Sequence, residues 1–236
     1  MANVLITGAN RGIGLALASE FLKEGDSVIA AARDPDKAGE LRELEKSADG
    51  RLAVHRLDVA DADSVKAVTE ALTPGPGSLD ILINNAGVFP EEGNETLEEL
   101  DLALFDTAFA TNVTGTARVC QALLPLLRKG DNPRIVNISS GAGSITDKTD
   151  SRHYCYSCSK AALNQFSRAL AAELKPEGIV VAPITPGWVK TDMGGPKAEL
   201  TVEESAASLV RTIRKLGMKQ TGLFLDRHGR SGVYRW

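Results

Sequence analysis

The chain is poor in the residues that staple, anchor or metallate a protein. Three cysteines in 236 residues, Cys120, Cys155 and Cys158, cannot build a disulfide framework. The chain also runs directly into Val4-Leu5-Ile6 with no basic stretch and no apolar leader before it, so a reducing, cytoplasmic setting is expected. No apolar run approaches the roughly 18 residues of a membrane span, and Ile179 to Ile184 is short and broken by Pro183. Neither sign of charge dominates. The 27 Lys and Arg against 31 Asp and Glu, a net charge of -4, are spread along the chain, which argues against nucleic acid and against a polybasic membrane anchor. A small molecule is the expected partner. The three histidines, His55, His153 and His228, are scattered, and no cluster has zinc-ligand spacing, so no metal is expected. What is present is ordinary: 43% hydrophobic and 25% charged residues, enough for one domain over 1–236 with a single large core.

Short β-branched runs alternate with stretches of helical spacing, the pattern of a parallel sheet with helices on both faces. Strands are expected at Asn3 to Thr7, Ser27 to Ala31, Leu52 to Leu57, Leu79 to Ile83, Arg134 to Ile138, Ile179 to Ile184 and Gly222 to Leu225, giving a seven-stranded doubly wound α/β fold. Helices are expected near 13–24, 35–47, 61–72, 97–129 in two segments, 154–175 and 202–216. Asp61 and Thr201 fit as N-caps, and Gly217 after Lys215 fits a left-handed stop. Thr73-Pro74-Gly75-Pro76-Gly77 reads as a turn, not a linker.

The first strand runs into Thr7-Gly8-Ala9-Asn10-Arg11-Gly12-Ile13-Gly14 and then an apolar-periodic helix. Glycines at a strand-to-helix turn allow a tight bend, and the unpaired N–H groups and dipole of the helix start favour a pyrophosphate. The spacing is G-x-x-x-G-x-G, not the usual dinucleotide G-x-G-x-x-G, and a plain turn is the competing reading. At the end of the second strand, Ala30-Ala31-Ala32-Arg33 has no carboxylate to receive a ribose 2′-hydroxyl. Arg33 there and Arg11 in the glycine loop suit a 2′-phosphate instead, which favours NADP(H) over NAD(H); Arg33 could alternatively pair with Asp34 or Asp36.

Tyr156-Ser157-Cys158-Ser159-Lys160 opens a helical stretch and places Tyr156 and Lys160 on one face. A free phenol titrates too high for acid–base work at neutral pH, and a fixed ammonium beside it favours the phenolate; a shift of about 3 units equals roughly 4 kcal/mol. Any isolated Y-x-x-x-K is commonly a surface pair, so its weight depends on its neighbours.

Those neighbours are Thr7 to Gly14, Asn84-Asn85-Ala86-Gly87, Asn112, Ile138-Ser139-Ser140 and Pro186-Gly187-Trp188-Val189-Lys190-Thr191, in this order along the chain. With them the chain resembles the short-chain dehydrogenase/reductase family, and the short segment after Thr191 looks most like the C-factor and sniffer branch of carbonyl-reductase-like members. The resemblance implies a Rossmann fold and hydride transfer from NADPH to the carbonyl of a small ketone or aldehyde, or the reverse from an alcohol. It implies Tyr156 as proton donor, Lys160 as the residue that lowers the Tyr156 pKa and binds the nicotinamide ribose, Ser140 rather than Ser139 as the carbonyl-orienting serine, and Asn112 as the anchor of a water relay. Gly8, Asn10, Arg11, Gly12, Ile13, Gly14, Arg33, Asp58, Val59, Asn85, Ala86 and Gly87 would hold the adenosine and phosphates. Ile184, Pro186, Gly187, Val189 and Thr191 would frame the nicotinamide. Relatives also pair through helices corresponding to 101–129 and 154–175, so a homodimer is preferred.

Ser140 and Tyr156 are sixteen positions apart, longer than usual for that family, with Asp147 to His153 filling the extra length. His153 either contacts substrate or sits at the rim. Phe89, Ile145, Trp188 and Met193 are the apolar candidates for the pocket wall, though each alone equally fits core packing. Two other readings compete: a nucleotide-binding signalling protein of the same fold, and a thiol-redox protein using Cys155 and Cys158, which form a C-x-x-C.

Overall fold

Val4, Leu5 and Ile6 are all fully buried, yet they belong to two different apolar clusters: Val4 and Ile6 to one, Leu5 to the other. That division is what a strand covered by helices on both faces requires. The protein is described here by a computed structural model covering residues 1–73, 77–93 and 95–236. Six parallel strands, β1 (Asn3–Thr7), β2 (Ser27–Ala32), β3 (Leu52–Arg56), β4 (Ile81–Asn84), β5 (Arg134–Ile138) and β6 (Val180–Ile184), form one sheet in the order β3-β2-β1-β4-β5-β6. Helices α1 (Gly12–Lys23) and α7 (Val202–Lys215) cover one face through Leu17, Phe21, Leu209 and Ile213. Helices α3 (Ala62–Leu72), α5 (Thr116–Leu127) and α6 (Tyr154–Leu174) cover the other through Val65, Leu123 and Leu174.

The strand order reverses at β1, which pairs with β2 on one side and β4 on the other. A crevice therefore opens at the carboxyl ends of β1 and β4, where open α/β sheets receive ligands. Thr7 stitches this edge together: its Oγ1 accepts from the backbone N–H groups of Asn85 and Ala86, both at 3.0 Å.

Several expectations need correction. Residues 222–225 do not form a seventh strand but meet β6 through the single Ile184–Leu225 bridge. The chain turns at once because the Asp226 carboxylate accepts from the backbone N–H groups of His228 and Arg230, each at 2.9 Å. The expected helix 35–47 is split into a 3₁₀ turn at Pro35–Lys37 and α2 (Gly39–Lys46). The stretch 97–129 is helical only from α4 (Ala103–Phe109), which joins α5 through a π-helical turn at Ala110–Gly115. Helix α7 ends without a left-handed glycine: Leu216 becomes extended at φ -60° and ψ 134°. Asp61 and Thr201 do cap α3 and α7, Thr201 reciprocally with Glu204. The turn expected at 73–77 lies, for Pro74, Gly75 and Pro76, outside the described residues.

Candidate active site

Gly8 and Gly12 carry φ of +65° and +54°, the left-handed region where glycine costs least. A Cβ on Gly14 would lie 2.3 Å from the Gly8 carbonyl oxygen and 2.5 Å from Asn85 Nδ2, so the helix start and the β4 end are in direct contact there. Asn85 Nδ2 donates to the Thr7 and Gly8 carbonyls at 3.0 and 3.1 Å, fixing the loop from behind. Arg11 precedes α1 in extended conformation without a side-chain cap, and no acidic residue occupies the first turn. The leading N–H groups of α1, around Ile13 and Gly14, are thus left for an anion.

The arginines separate. Arg33 is exposed and makes no ion pair among the described residues, because Asp34 pairs with Lys37 at 2.6 Å and Asp36 approaches Arg42 at 3.8 Å. Arg11 instead pairs with Asp192. That pair links the glycine loop to the segment 186–192, which also approaches where a Cβ on Gly12 would lie 3.4 Å from Thr191 Cγ2. In this segment Pro186 and Val189 are buried, Gly187 has φ +85°, and Thr191 Oγ1 accepts from Gly194 N at 3.0 Å. Asp58 is half-buried after β3 and accepts from Ala60 N at 2.9 Å, while the Val59 carbonyl accepts from Arg118 at 2.9 Å. Asn10 is half-buried on the loop.

Tyr156, Lys160 and Ser140 converge at the carboxyl end of β5. Lys160 Nζ lies 5.6 Å from the Tyr156 ring centre and donates to the Ile138 carbonyl at 2.9 Å. Burial alone lowers its pKa to about 8. The phenol departs from the expected depression: burial pushes its pKa up, a hydrogen bond with Ser140 pulls it down, and the Glu91 carboxylate pushes it up again. Desolvation outweighs the partners, and the lysine is not what tips the balance. Ser140 Oγ also accepts from Ala142 N at 3.2 Å, which starts the 3₁₀ turn Gly141–Gly143. Ser139 points elsewhere, buried and donating to Asn164 Oδ1 at 2.6 Å. Asn112 lies in the π-helical turn, the kind of helix irregularity that re-aims a side chain, and donates to Ser159 Oγ at 2.9 Å. Gly87 sits between the two groups: a Cβ there would be 3.2 Å from Asn112 Oδ1 and 3.6 Å from Lys160 Nζ.

The wall is partly as expected. Phe89 meets Tyr156 edge-on at 5.1 Å and His153 at 5.0 Å, so the two rings share one aromatic neighbour. Burial, reinforced by Lys148 and Arg152, lowers the His153 pKa. Ile145, Trp188 and Met193 are exposed by 74%, 52% and 46%, so the core-packing alternative fails for all three. Both cysteines of the C-x-x-C are free thiols, Cys158 exposed. Cys155 is buried and its thiol pushed up to about 11, chiefly by burial and then by Glu91, so it is a poor source of thiolate.

Glu91 was not visible as a site residue in the sequence. It is only 4% exposed, and its Oε1 accepts from the backbone N–H of Tyr156 at 2.9 Å. A lone glutamate in a loop carries no spacing signal. Among the described residues no group of three or more His, Cys, Asp or Glu could hold a metal ion, and no helix is long and apolar enough to cross a membrane.

Residues 2–201 match the family model described as short chain dehydrogenase. The C-signal of Myxococcus xanthus is 41% identical over 153 residues, which is 65% of this chain and 91% of that protein. Among solved structures, the carbonyl reductase Sniffer of D. melanogaster superposes with a TM-score of 0.93 at 32% identity over all of both chains. An NADPH-bound carbonyl reductase from chicken fatty liver does so with a TM-score of 0.89 at 34% identity, over 100% of this chain and 99% of that one.

Proposed function

We propose, on the premise that the chain belongs to the short-chain dehydrogenase family, that it reduces the carbonyl of a small ketone or aldehyde to an alcohol with NADPH. The observation that carries the reading is the meeting of Tyr156 with Ser140 and Lys160, beside the uncapped start of α1.

The residues present fit the dinucleotide. The Gly8–Gly14 turn, fixed from behind by Asn85, and the leading N–H groups of α1 suit the pyrophosphate. Arg33, without an ion-pair partner among the described residues, suits a 2′-phosphate. Asp58, Val59, Asn85, Ala86 and Gly87 would border the adenosine, and Pro186, Gly187, Val189 and Thr191 the nicotinamide. When bound, NADPH supplies the hydride that the carbonyl carbon receives.

The protein's own part is proton delivery and charge placement. Ser140, its Oγ anchored by Ala142 N, would donate a hydrogen bond to the substrate oxygen. Tyr156 would give that oxygen its phenolic proton as negative charge develops. A phenol whose pKa is raised holds its proton at neutral pH, the form that a proton donor needs. Lys160, on the same helix face, would hold the ribose hydroxyls; Asn112 would order the water behind it. His153, Ile145, Trp188 and Met193 are the proposed substrate contacts, with Phe89 as the wall under the phenol.

The remaining parts of the reading are a single catalytic domain, a cytoplasmic setting and a homodimer through α5 and α6. A groove of about 420 Å³ between those helices, lined in part by Leu124, Phe166 and Leu170, supports the dimer, which light scattering would test. The reading as a nucleotide-binding signalling protein draws on the similarity to the C-signal. One experiment decides between them. Oxidation of NADPH and of NADH is followed with a panel of aromatic and aliphatic carbonyls, for the wild type and for Tyr156→Phe. Turnover lost in the variant with NADPH binding intact supports the reductase; absence of turnover in the wild type overturns it.

A further inference from the structure

Helix α6 carries the proton donor at its third residue, yet it begins without the usual means of starting a helix. Its N-cap position is His153, in the left-handed conformation at φ 62° and ψ 48°, with no side-chain cap and no acidic residue in the first turn. N-caps ordinarily adopt extended dihedrals and present a short oxygen-bearing side chain to the N–H groups two or three residues on. Here the missing acceptor comes from 65 positions away, where Glu91 Oε1 bonds the Tyr156 N–H itself at 2.9 Å. The same segment supplies Phe89, which stands edge-on to both Tyr156 and His153, and Gly93, where a Cβ would lie 2.7 Å from His153 Cε1. The stretch 89–93 therefore grips the start of α6 by one aromatic ring, one carboxylate and one close backbone approach.

We propose that Glu91 is a positioning residue for Tyr156, tying the backbone of the proton donor to the wall that carries Phe89 and setting a buried carboxylate against the first turn of its helix. The proposal deepens the reductase reading and rests on it. A cap alone would be served by a serine or an asparagine at position 153. A carboxylate, 4% exposed and with its second oxygen Oε2 buried and unpartnered, is a costly way to start a helix and calls for a reason beyond capping. The reason is its charge: a carboxylate bonded to the backbone of Tyr156 opposes formation of a phenolate on the same residue. The other groups around the phenol act differently. Ser140, from the end of β5, lowers its pKa by hydrogen bonding, and Lys160, on α6, has its ammonium 5.6 Å from the ring and is held by Ile138. His153 lies across Phe89, and Cys155 faces Glu91 with its thiol pushed up to about 11. Burial is the larger cause of the raised phenol pKa, and Glu91 adds to it.

The test compares Glu91→Gln, which keeps an acceptor oxygen for the Tyr156 N–H and removes the charge, with Glu91→Ala, which removes both. In the glutamine variant the alkaline limb of NADPH-dependent reduction should move to lower pH, by on the order of half a unit, with the melting temperature close to wild type. In the alanine variant kcat should fall by about tenfold or more with KM for NADPH unchanged, as expected for a misplaced donor. A second readout does not depend on turnover. The phenolate absorbance of Tyr156, taken as wild type minus Tyr156→Phe across pH, should rise at lower pH in the Glu91→Gln background. If the glutamine variant leaves both the rate profile and this absorbance unmoved, Glu91 is a structural cap only and the proposal is overturned. If the absorbance shifts while the wild type reduces no carbonyl, the positioning role stands and the reductase reading fails.

Discussion

Asn112 and Val88 bond to each other in both directions, Val88 N donating to Asn112 Oδ1 at 2.8 Å and Asn112 Nδ2 donating to the Val88 carbonyl at 3.0 Å. The side-chain amide thus acts as a surrogate peptide, extending the end of β4 past Gly87 and joining it to the π-helical turn. Asn112 is 1% exposed, and its Nδ2 also reaches Ser159. Asn112→Ala should orphan the Val88 N–H and cost roughly 2–4 kcal/mol, read as a lower urea midpoint with an unchanged slope. Its kcat should fall as well, since Ser159 Oγ in turn donates to the Tyr156 carbonyl at 2.7 Å. A variant with wild-type stability would show that the reciprocal pair is dispensable.

Arg33 gives a sharper test of cofactor choice. With Asp34 engaged by Lys37 and Asp36 near Arg42, nothing among the described residues competes for its guanidinium. A charge-assisted hydrogen bond is worth about 1.5–3 kcal/mol, so Arg33→Ala should raise KM for NADPH by roughly 10- to 100-fold and leave NADH nearly untouched. Equal losses with both cofactors would locate the 2′-phosphate elsewhere. Arg11 should behave differently, since it must leave Asp192 before it can meet a phosphate.

Lys160 makes stability depend on pH in a defined direction. Its pKa falls from 10.5 to about 8 on folding, so between about pH 8 and 10.5 the unfolded chain carries a proton on this group that the folded protein has lost. The unfolded state then binds more protons, and stability contributed by this residue rises with pH across that window. Below pH 8 both states are protonated and the burial penalty, on the order of 3 kcal/mol, is fully present. Lys160→Met should therefore be more stable than wild type at pH 7 and converge with it near pH 10.5, as measured by denaturant unfolding without cofactor. Parallel curves at all pH values would show that the ammonium is not desolvated.

How much of this was legible in the sequence depended on distance along the chain. The glycine loop and the Tyr156–Lys160 pair could be read because each is one turn of structure long, and their residue types state the chemistry. The strand order could be anticipated only as a class, because alternation of strand and helix does not say that Leu225 meets β6 at one bridge while Val181 belongs to a ladder. Glu91 could not be read at all, since its meaning comes from a partner 65 positions away. The sign of the phenol shift is hidden in the sequence for a similar reason: the ammonium is local and visible, whereas desolvation by burial exists only in the folded chain. The π-helical turn at Ala110 to Gly115 likewise could not be read, since weak helix formers such as Asn112 and Gly115 do not say which irregularity they make.

The long connection between Ser140 and Tyr156 is held by residues 234–236, which leads to a test of substrate handling. Arg235 grips Asp147 three times, through its backbone N at 2.9 Å, Nε at 2.8 Å and Nη2 at 2.5 Å. The Trp236 carbonyl accepts from Thr146 N and Oγ1 at 3.1 and 2.6 Å. Tyr234 covers Gly141, the residue after the carbonyl-orienting serine, so closely that a Cβ there would lie 2.5 Å from its Cε1. The Arg235 side chain is 65% exposed, so the ion pair itself stabilises the protein little. Its effect should fall on the geometry of the loop. Arg235→Ala is expected to leave the melting temperature and the KM for NADPH near wild type while raising the KM for the carbonyl several-fold, because Ile145 and Ser140 lie on the loop it restrains. Steady-state kinetics with each substrate varied in turn separates the two constants, and a carbonyl KM that does not move would show that the loop keeps its shape without the tie.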